Sequence, residues 1–192
     1  MTNNELFFSF VNKFAITHDE TSETDVYVVY AEKKVLFNIT YLKKHKQYVF
    51  DYTPFCTQEF IKHGIYSKNL PDTATIYNIV TVQYKQKLVN ELFETLVSIC
   101  EINQRTSDEY ETYFAENSFG IIFKLKHNKK TNQYTFKRDK ILTTIYDDLQ
   151  IPHNLMPQNH KELFEQMRNE YNYQVVRDTV KGIEELNYYY SR

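Results

Sequence analysis

The sequence has no tryptophan and few of the residues that build tight turns or covalent cross-links. Its 192 residues include three glycines, four prolines and two cysteines. Gly64, Gly120 and Gly182 stand alone, so no glycine-rich phosphate-binding loop is present. Cys56 and Cys100 belong to no CxxC pair, which excludes the common zinc-site spacings. We therefore expect no cofactor and no bound metal.

Long apolar runs and a strong charge of one sign are also missing. No apolar stretch approaches the roughly 20 residues of a membrane-spanning helix. The formal net charge is -2, with 18 lysines and only 5 arginines. The low net charge and the scarcity of arginine argue against nucleic-acid binding through bulk positive charge, because such domains are usually strongly basic and rich in arginine.

Aromatic residues are abundant instead. The chain carries 17 tyrosines and 14 phenylalanines, and 42% of its residues are apolar. This composition predicts a folded protein with a sizeable core rather than a disordered chain. Few Gly, Ala and Pro beside many Lys, Asn, Tyr and Ile indicate A/T-rich coding, as in a low-GC bacterium, its phages or its plasmids. The N-terminus lacks the pattern of a signal peptide, so we expect a cytoplasmic protein.

The periodicities predict an α+β fold. Apolar residues recur at helical spacing in 3–14, 85–103 and 159–190, and a short helix is predicted for 140–149. Segments 26–31, 34–42 and 48–52 form a predicted antiparallel meander, and 119–127 with 132–139 a second hairpin. Residues 17–25 are predicted as a loop, 105–118 as an acidic linker or short helix, and 73–82 as either strand or helix.

The prediction is therefore one antiparallel sheet, a meander plus a second hairpin, packed by an N-terminal and a central helix. Residues 1–150 form the predicted core domain and 151–192 a helical C-terminal appendage. The similarity between the two hairpins is too short to establish a duplication. This order of elements is similar to that of small bacterial immunity proteins that block secreted toxins, a similarity of architecture alone.

The two hairpins raise the question of nucleic-acid binding. They read LKKHKQYVF (42–50) and LKHNKKTNQYTF (125–136), each with a basic centre. Side chains alternate along a strand, so Tyr134 and Phe136 should face the core, opposite Lys124 and Lys126. That pattern favours lysines that lie simply in water. A phosphate-contacting ridge on hairpin 124–140 is the alternative, formed by Lys124, Lys126, Lys129, Lys130, Lys137 and Arg138.

Catalytic signatures are weak. Asp25, Glu32 and Lys34 have the order of a metal-dependent nuclease motif, but on one strand the two acids would lie ~23 Å apart. Asp72 followed by Gln83 and Lys85 fits no better, because glutamine is a poor ligand for a hard cation. No two histidines are spaced i, i+4. We expect a non-enzyme, with a metal-dependent nuclease as a distant alternative.

The leading hypothesis is a small protein-binding module. It would be an inhibitor or adaptor of phage or mobile-element type that occludes a larger partner, plausibly a nucleic-acid-processing effector or toxin. Acidic segments alternate with basic hairpins, and tyrosine is a favoured interface residue. Three consecutive tyrosines cannot all be buried by one helix face, so at least one should be exposed. The predicted partner-binding residues are Asp108, Glu109, Glu111, Tyr188, Tyr189 and Tyr190.

Overall fold

A computed structural model of the chain describes residues 2–190, and the side chains of residues 2–185. The chain forms two compact units, Met1–Lys87 and Leu88–Arg192. The helices are α1 (Asn3–Val11), α2 (Pro54–Lys62), α3 (Thr73–Ile99), α4 (Lys140–Asp148) and α5 (His160–Tyr190). The strands are β1 (Ala15–Glu20), β2 (Thr24–Ala31), β3 (Lys34–Leu42), β4 (Gln47–Tyr52), β5 (Glu101–Thr106), β6 (Tyr110–Asn117), β7 (Gly120–Asn128) and β8 (Gln133–Arg138).

The fold is α+β, as the sequence predicted, but it has two sheets. Each is a four-stranded antiparallel meander, with the order β1-β2-β3-β4 in sheet 1 and β5-β6-β7-β8 in sheet 2. The predicted loop at 17–25 contains the end of β1 and the start of β2, and the predicted linker at 105–118 contains the end of β5 and all of β6, so both predictions were wrong. These segments are rich in polar residues and form strands because they pair with neighbouring strands, which intrinsic strand propensity does not reveal.

The open choice at 73–82 is decided in favour of a helix. Asp72 caps α3 by accepting a hydrogen bond from the backbone N–H of Thr75 at 3.0 Å. Burial of Ile76 and Val80 outweighs the strand preference of β-branched residues. The predicted helix end at residue 103 was too late, since β5 begins at Glu101.

The predicted boundary at residue 150 lies within the second unit, between α4 and α5. The first half of α5 supplies Leu163, Phe164 and Met167 to the core of this unit. The first part of the segment predicted as an appendage therefore contributes to the core of the second unit.

The second unit repeats the first. β1 and β5 begin at Ala15 and Glu101, 86 positions apart, and the same interval separates every following pair of strands. The strands contain six, eight, nine and six residues in both sheets. A β-bulge follows Val29 in β2 and Ala115 in β6, again 86 apart. The hairpin similarity visible in the sequence is thus one part of a duplication that covers both units.

The repeat is clearest in the cores. The tetrapeptide Asn-Glu-Leu-Phe occurs at 4–7 and again at 90–93. In unit 1 the ring of Phe7 lies 5.9 Å from Phe37 and 6.5 Å from Phe50. In unit 2 the equivalent ring of Phe93 lies 4.9 Å from Phe123 and 5.2 Å from Phe136. One helix therefore anchors each sheet through the same three aromatic positions.

Backbone details repeat as well. Left-handed residues lie at Lys46 (φ 51°) and Asn132 (φ 53°) in the hairpin turns. They recur after α2 at Gly64 (φ 72°) and after α4 at Gln150 (φ 52°). Glycine adopts this conformation without strain, whereas glutamine does not. The chain geometry of the repeat has therefore persisted where the favoured residue has not.

The anchoring ring gives a direct test of the repeated core. We expect Phe93→Ala to lower the free energy of unfolding by about 3–5 kcal/mol, from lost burial and the cavity left behind. Phe119→Ala is the control, because Phe119 is 84% exposed and should change stability by less than about 0.5 kcal/mol. Urea unfolding followed by far-UV circular dichroism measures both. A cost below about 1 kcal/mol for Phe93→Ala would contradict the proposed anchor.

Candidate functional site

The second half of α5 carries an exposed apolar stripe. Tyr173, Val176, Val180 and Ile183 are 62, 62, 49 and 53% exposed and recur at helical spacing. We call these four residues the α5 stripe. The preceding part of the helix packs on sheet 2, so the apolar side predicted from the sequence is buried only in its first half.

The predicted partner-binding residues fall into different environments. Asp108 is exposed in the β5–β6 turn, and Glu109 in the same turn pairs with Lys130 at 2.5 Å. Glu111 faces the core side of β6 and is occupied by internal hydrogen bonds. The prediction for Tyr188, Tyr189 and Tyr190 concerns side chains that lie outside the described residues.

Glu111 is the centre of a half-buried polar cluster in unit 2. Its carboxylate accepts hydrogen bonds from Tyr113 at 2.7 Å, Arg168 at 2.8 Å and Gln104 at 2.9 Å. Burial raises the pKa of Glu111, but the hydrogen bonds from Arg168 and Tyr113 outweigh it, and the pKa is lowered overall. Burial raises the pKa of Tyr113 to about 12, so this hydroxyl stays protonated and donates.

Unit 1 has a related cluster around Asp25. His18 Nε2 lies 2.5 Å from one carboxylate oxygen, and the Tyr77 hydroxyl donates to the other. The His18 ring also stacks on Tyr27 at 4.4 Å. Burial and the Asp25 carboxylate raise the pKa of Tyr77 well above its usual value. An imidazole beside a carboxylate can act as a general base, so this cluster is an acid–base candidate among the described residues.

The duplication favours a structural role for both clusters. Asp25 and Glu111 occupy equivalent positions, and so do His18 and Gln104. Glutamine cannot exchange a proton as histidine does, yet it makes the same contact with the acid in unit 2. The feature that the two units share is therefore a side-chain hydrogen bond between the first two strands of each sheet, and not proton transfer.

The predicted basic ridge does not form one surface. Arg138 donates from Nη1 to the His153 carbonyl oxygen at 2.5 Å, and Lys129 donates to the Ser107 carbonyl oxygen at 2.7 Å. Lys130 pairs with Glu109 as described above. Only Lys124, Lys126 and Lys137 lie together, on the side of sheet 2 that faces away from the core.

Sequence reasoning missed three residues that share this outer face. They come from β5 and β6, in the segment that was predicted to be a linker or helix. The Arg105 guanidinium lies 5.1 Å from the centre of the Phe114 ring, and Lys126 Nζ lies 3.4 Å from that of Tyr110. Once 105–118 is known to be a strand, alternation alone places these side chains on the lysine face.

The described part of the chain has neither a metal-ligand cluster nor a membrane-spanning helix. There, no group of three His, Cys, Asp or Glu side chains could hold a metal ion. Of the nuclease-like motifs, Asp25 bonds to His18 and Tyr77, and Asp72 caps α3. Among the same residues, no helix combines the length and apolar character needed to cross a membrane.

Comparison with protein-family models, curated proteins and solved structures found no match to this chain.

The cluster around Glu111 predicts a pH-dependent contribution to stability. We expect Arg168→Met to cost about 1.5–3 kcal/mol at neutral pH, since it removes a hydrogen bond to a charged group. The folded-state pKa of Glu111 is lowered, so its stabilising effect is present above the unfolded pKa of about 4.3 and is lost as pH falls through the folded pKa. The difference in free energy of unfolding between the wild type and Arg168→Met should therefore become smaller at acidic pH.

Lys130→Met is the matched control. It also removes one cation paired with a glutamate, but both partners are largely exposed, so the cost should be about 0–1 kcal/mol. Urea unfolding of the three proteins between neutral and acidic pH measures the difference. An Arg168→Met effect that is the same at every pH would show that the interaction with the Glu111 carboxylate is not its cause.

Proposed function

We propose that the protein is a non-enzymatic protein-binding module, of adaptor or inhibitor type, that docks a larger partner through the α5 stripe. The single observation that supports this is the exposure of four apolar side chains at helical spacing on one side of α5. A contiguous exposed apolar patch is a usual mark of a protein interaction site.

The repeat strengthens this interpretation. α3 and α5 begin at Thr73 and His160, so they are related by an interval of 87 residues. On that interval Val176, Val180 and Ile183 correspond to Val89, Phe93 and Leu96 in α3. Those three residues are buried in the core of unit 2. The apolar side chains at these repeat positions are thus covered in α3 and exposed in α5.

The partner that fits best presents an apolar groove. The described stripe covers about two heptads, whereas coiled-coil pairing usually needs three or four. An amphipathic helix that inserts its apolar side into a preformed groove needs only anchors at i, i+3, i+4 and i+7 spacing. Arg177, Asp178 and Lys181 flank the stripe and would form a mixed polar rim.

The acidic turn contributes less to this proposal than the sequence suggested. Glu111 is committed to internal bonds, and Glu109 is paired, which leaves Asp108 as the freely exposed carboxylate of the three. We therefore place the docking surface on α5. A nucleic-acid-processing enzyme remains the kind of partner proposed, on the charge pattern of the sequence alone.

A cytoplasmic, reducing setting is part of the proposal. Cys56 and Cys100 are free and buried. Burial raises the pKa of the Cys56 thiol to about 12, which keeps it protonated and unreactive. Free thiols are the ordinary state of cysteine in the cytosol.

The test is a paired substitution in the stripe. We expect Val176→Glu with Val180→Glu to leave the melting temperature unchanged within a few degrees, because both side chains are exposed. The partner should first be isolated by co-purification in stoichiometric amount from the source cell, then produced separately. Its affinity for the variant, measured by calorimetry, should fall at least tenfold, which is about 1.4 kcal/mol.

Ile61→Glu and Phe119→Glu are the matched controls. Both residues are exposed and apolar, and both lie outside α5, so partner affinity should be unchanged. If the stripe and control variants lowered partner affinity equally, binding would depend on exposed apolar residues in general, and this result would contradict the docking site. Sedimentation of the protein alone provides a second check. A dimer abolished by the stripe variant would make the occupant a second copy of this chain instead.

A further inference from the structure

The outer face of sheet 2 concentrates positive charge in two neighbouring rows of residues. Lys124 is paired across the sheet with Phe114 on one side and Lys137 on the other. The adjoining row runs from Arg105 through Thr112 and Lys126 to Thr135. Strands are about 4.8 Å apart, so four cations share a small area. We call Arg105, Lys124, Lys126 and Lys137 the basic face.

This arrangement opposes folding. Like charges at directly opposite positions of an antiparallel pair, such as Lys124 and Lys137, are destabilising. Among the described residues, none of the four cations makes an ion pair with a carboxylate. Two acids, Glu101 and Glu116, lie across from each other in the row next to that of Phe114 and Lys124, but neither forms an ion pair with the four cations. An anion bound over the rows would relieve the repulsion among the cations.

Aromatic rings contact three of the four cations. Phe114 is only 7% exposed and lies beneath Arg105, at 5.1 Å, and Lys124, at 5.8 Å. Lys126 lies over the Tyr110 ring. Cation–π contacts of this kind orient charged groups without neutralising them. Three of the four cations of the basic face are therefore oriented before any ligand binds.

The first unit shows that the fold itself does not require this charge. Residues 86 positions earlier are Asp19, Asn38, Thr40 and Asp51, and Val28 takes the place of Phe114. The same outer face thus carries two acids in unit 1 and four cations in unit 2. The basic face is a property of the second copy alone, which points to a role other than folding.

We propose that the basic face binds the phosphate backbone of single-stranded nucleic acid. Sheets that combine aromatic and basic residues on one face are typical of single-strand binding. A flexible single strand can place successive phosphates on closely spaced cations, whereas a duplex presents them at fixed positions. Because Phe114 is covered, base stacking contributes little, and binding should show little sequence preference and a strong dependence on salt. The basic face and the α5 stripe share no residue, so the experiments can reject one proposal without rejecting the other.

The experiment measures fluorescence anisotropy of a labelled oligothymidylate of about 15 nucleotides with the full-length protein. We expect binding that weakens steeply between about 50 and 200 mM salt. The test variant is Lys124→Asn with Lys126→Thr, which installs the residues that unit 1 carries at these positions. Its salt dependence, as log K against log[salt], should be shallower by roughly one to two units, because two phosphate contacts are lost.

The matched control is Lys44→Thr with Lys46→Asn. It removes the same formal charge from two exposed lysines in the β3–β4 turn of unit 1, which do not belong to the basic face, and it should leave the salt dependence unchanged. Wild-type-like circular dichroism and melting are expected for the test variant because unit 1 forms its sheet with Asn38 and Thr40 at the equivalent positions, and for the control because Lys44 and Lys46 are exposed. A poly-glutamate competitor distinguishes nucleic acid from an acidic protein partner.

Binding that is absent at the lowest salt would overturn the proposal. So would an equal loss of binding in both variants, because it would show dependence on total charge only. Competition by poly-glutamate as effective as by unlabelled oligothymidylate would reassign the basic face to acidic proteins. A duplex of equal length that binds more tightly than the single strand would reject the single-strand assignment.

Discussion

The contact that the rest of the structure depends on is the packing of one phenylalanine on two others across a helix and a sheet. Phe7 in α1 and Phe93 in the C-terminal part of α3 each pack a helix against a four-stranded meander. A four-stranded sheet has an apolar face that must be covered, and a helix covers it only if a large side chain reaches the sheet. In a protein without tryptophan, phenylalanine provides that volume. The strand lengths, bulges and turns that recur at the same interval keep the three rings in register.

Duplication explains why the two units agree inside and differ outside. Core positions are constrained by close packing, so the equivalent residues remain aromatic or aliphatic. The solvent side of each sheet is free of that constraint, and it carries two acids in unit 1 and the basic face in unit 2. The repeat also separates structural from functional candidates. The clusters around Asp25 and Glu111 persist with altered chemistry, whereas the basic face and the α5 stripe are found in one copy each.

The candidate sites could be predicted only in part. Alternation along β7 correctly placed Lys124 and Lys126 away from the core. It could not add Arg105, Tyr110 and Phe114, because their segment resembles a polar linker and becomes a strand only through its neighbours. The acidic residue Glu111 looked available in the sequence, yet its position on the inner side of β6 commits it to Arg168, 57 positions away. Similarly, the apolar side of α5 reads as one continuous stripe, and only packing shows where sheet 2 ceases to cover it.

The sequence by itself determined the α+β class, most of the helices and five of the eight strands. These follow from local periodicity, which depends on neighbours within one helix or strand. Tertiary structure alone decided the number of sheets, the duplication and the partners of the polar residues. The sequence carries short identical pieces, Asn-Glu-Leu-Phe at 4–7 and 90–93 and Gln-Tyr-x-Phe at 47–50 and 133–136, but between them the units share mainly the volume and register of the core, which the structure shows. Pairing between strands is a long-range interaction, and a polar strand such as β1 or β6 gains its stability from that pairing.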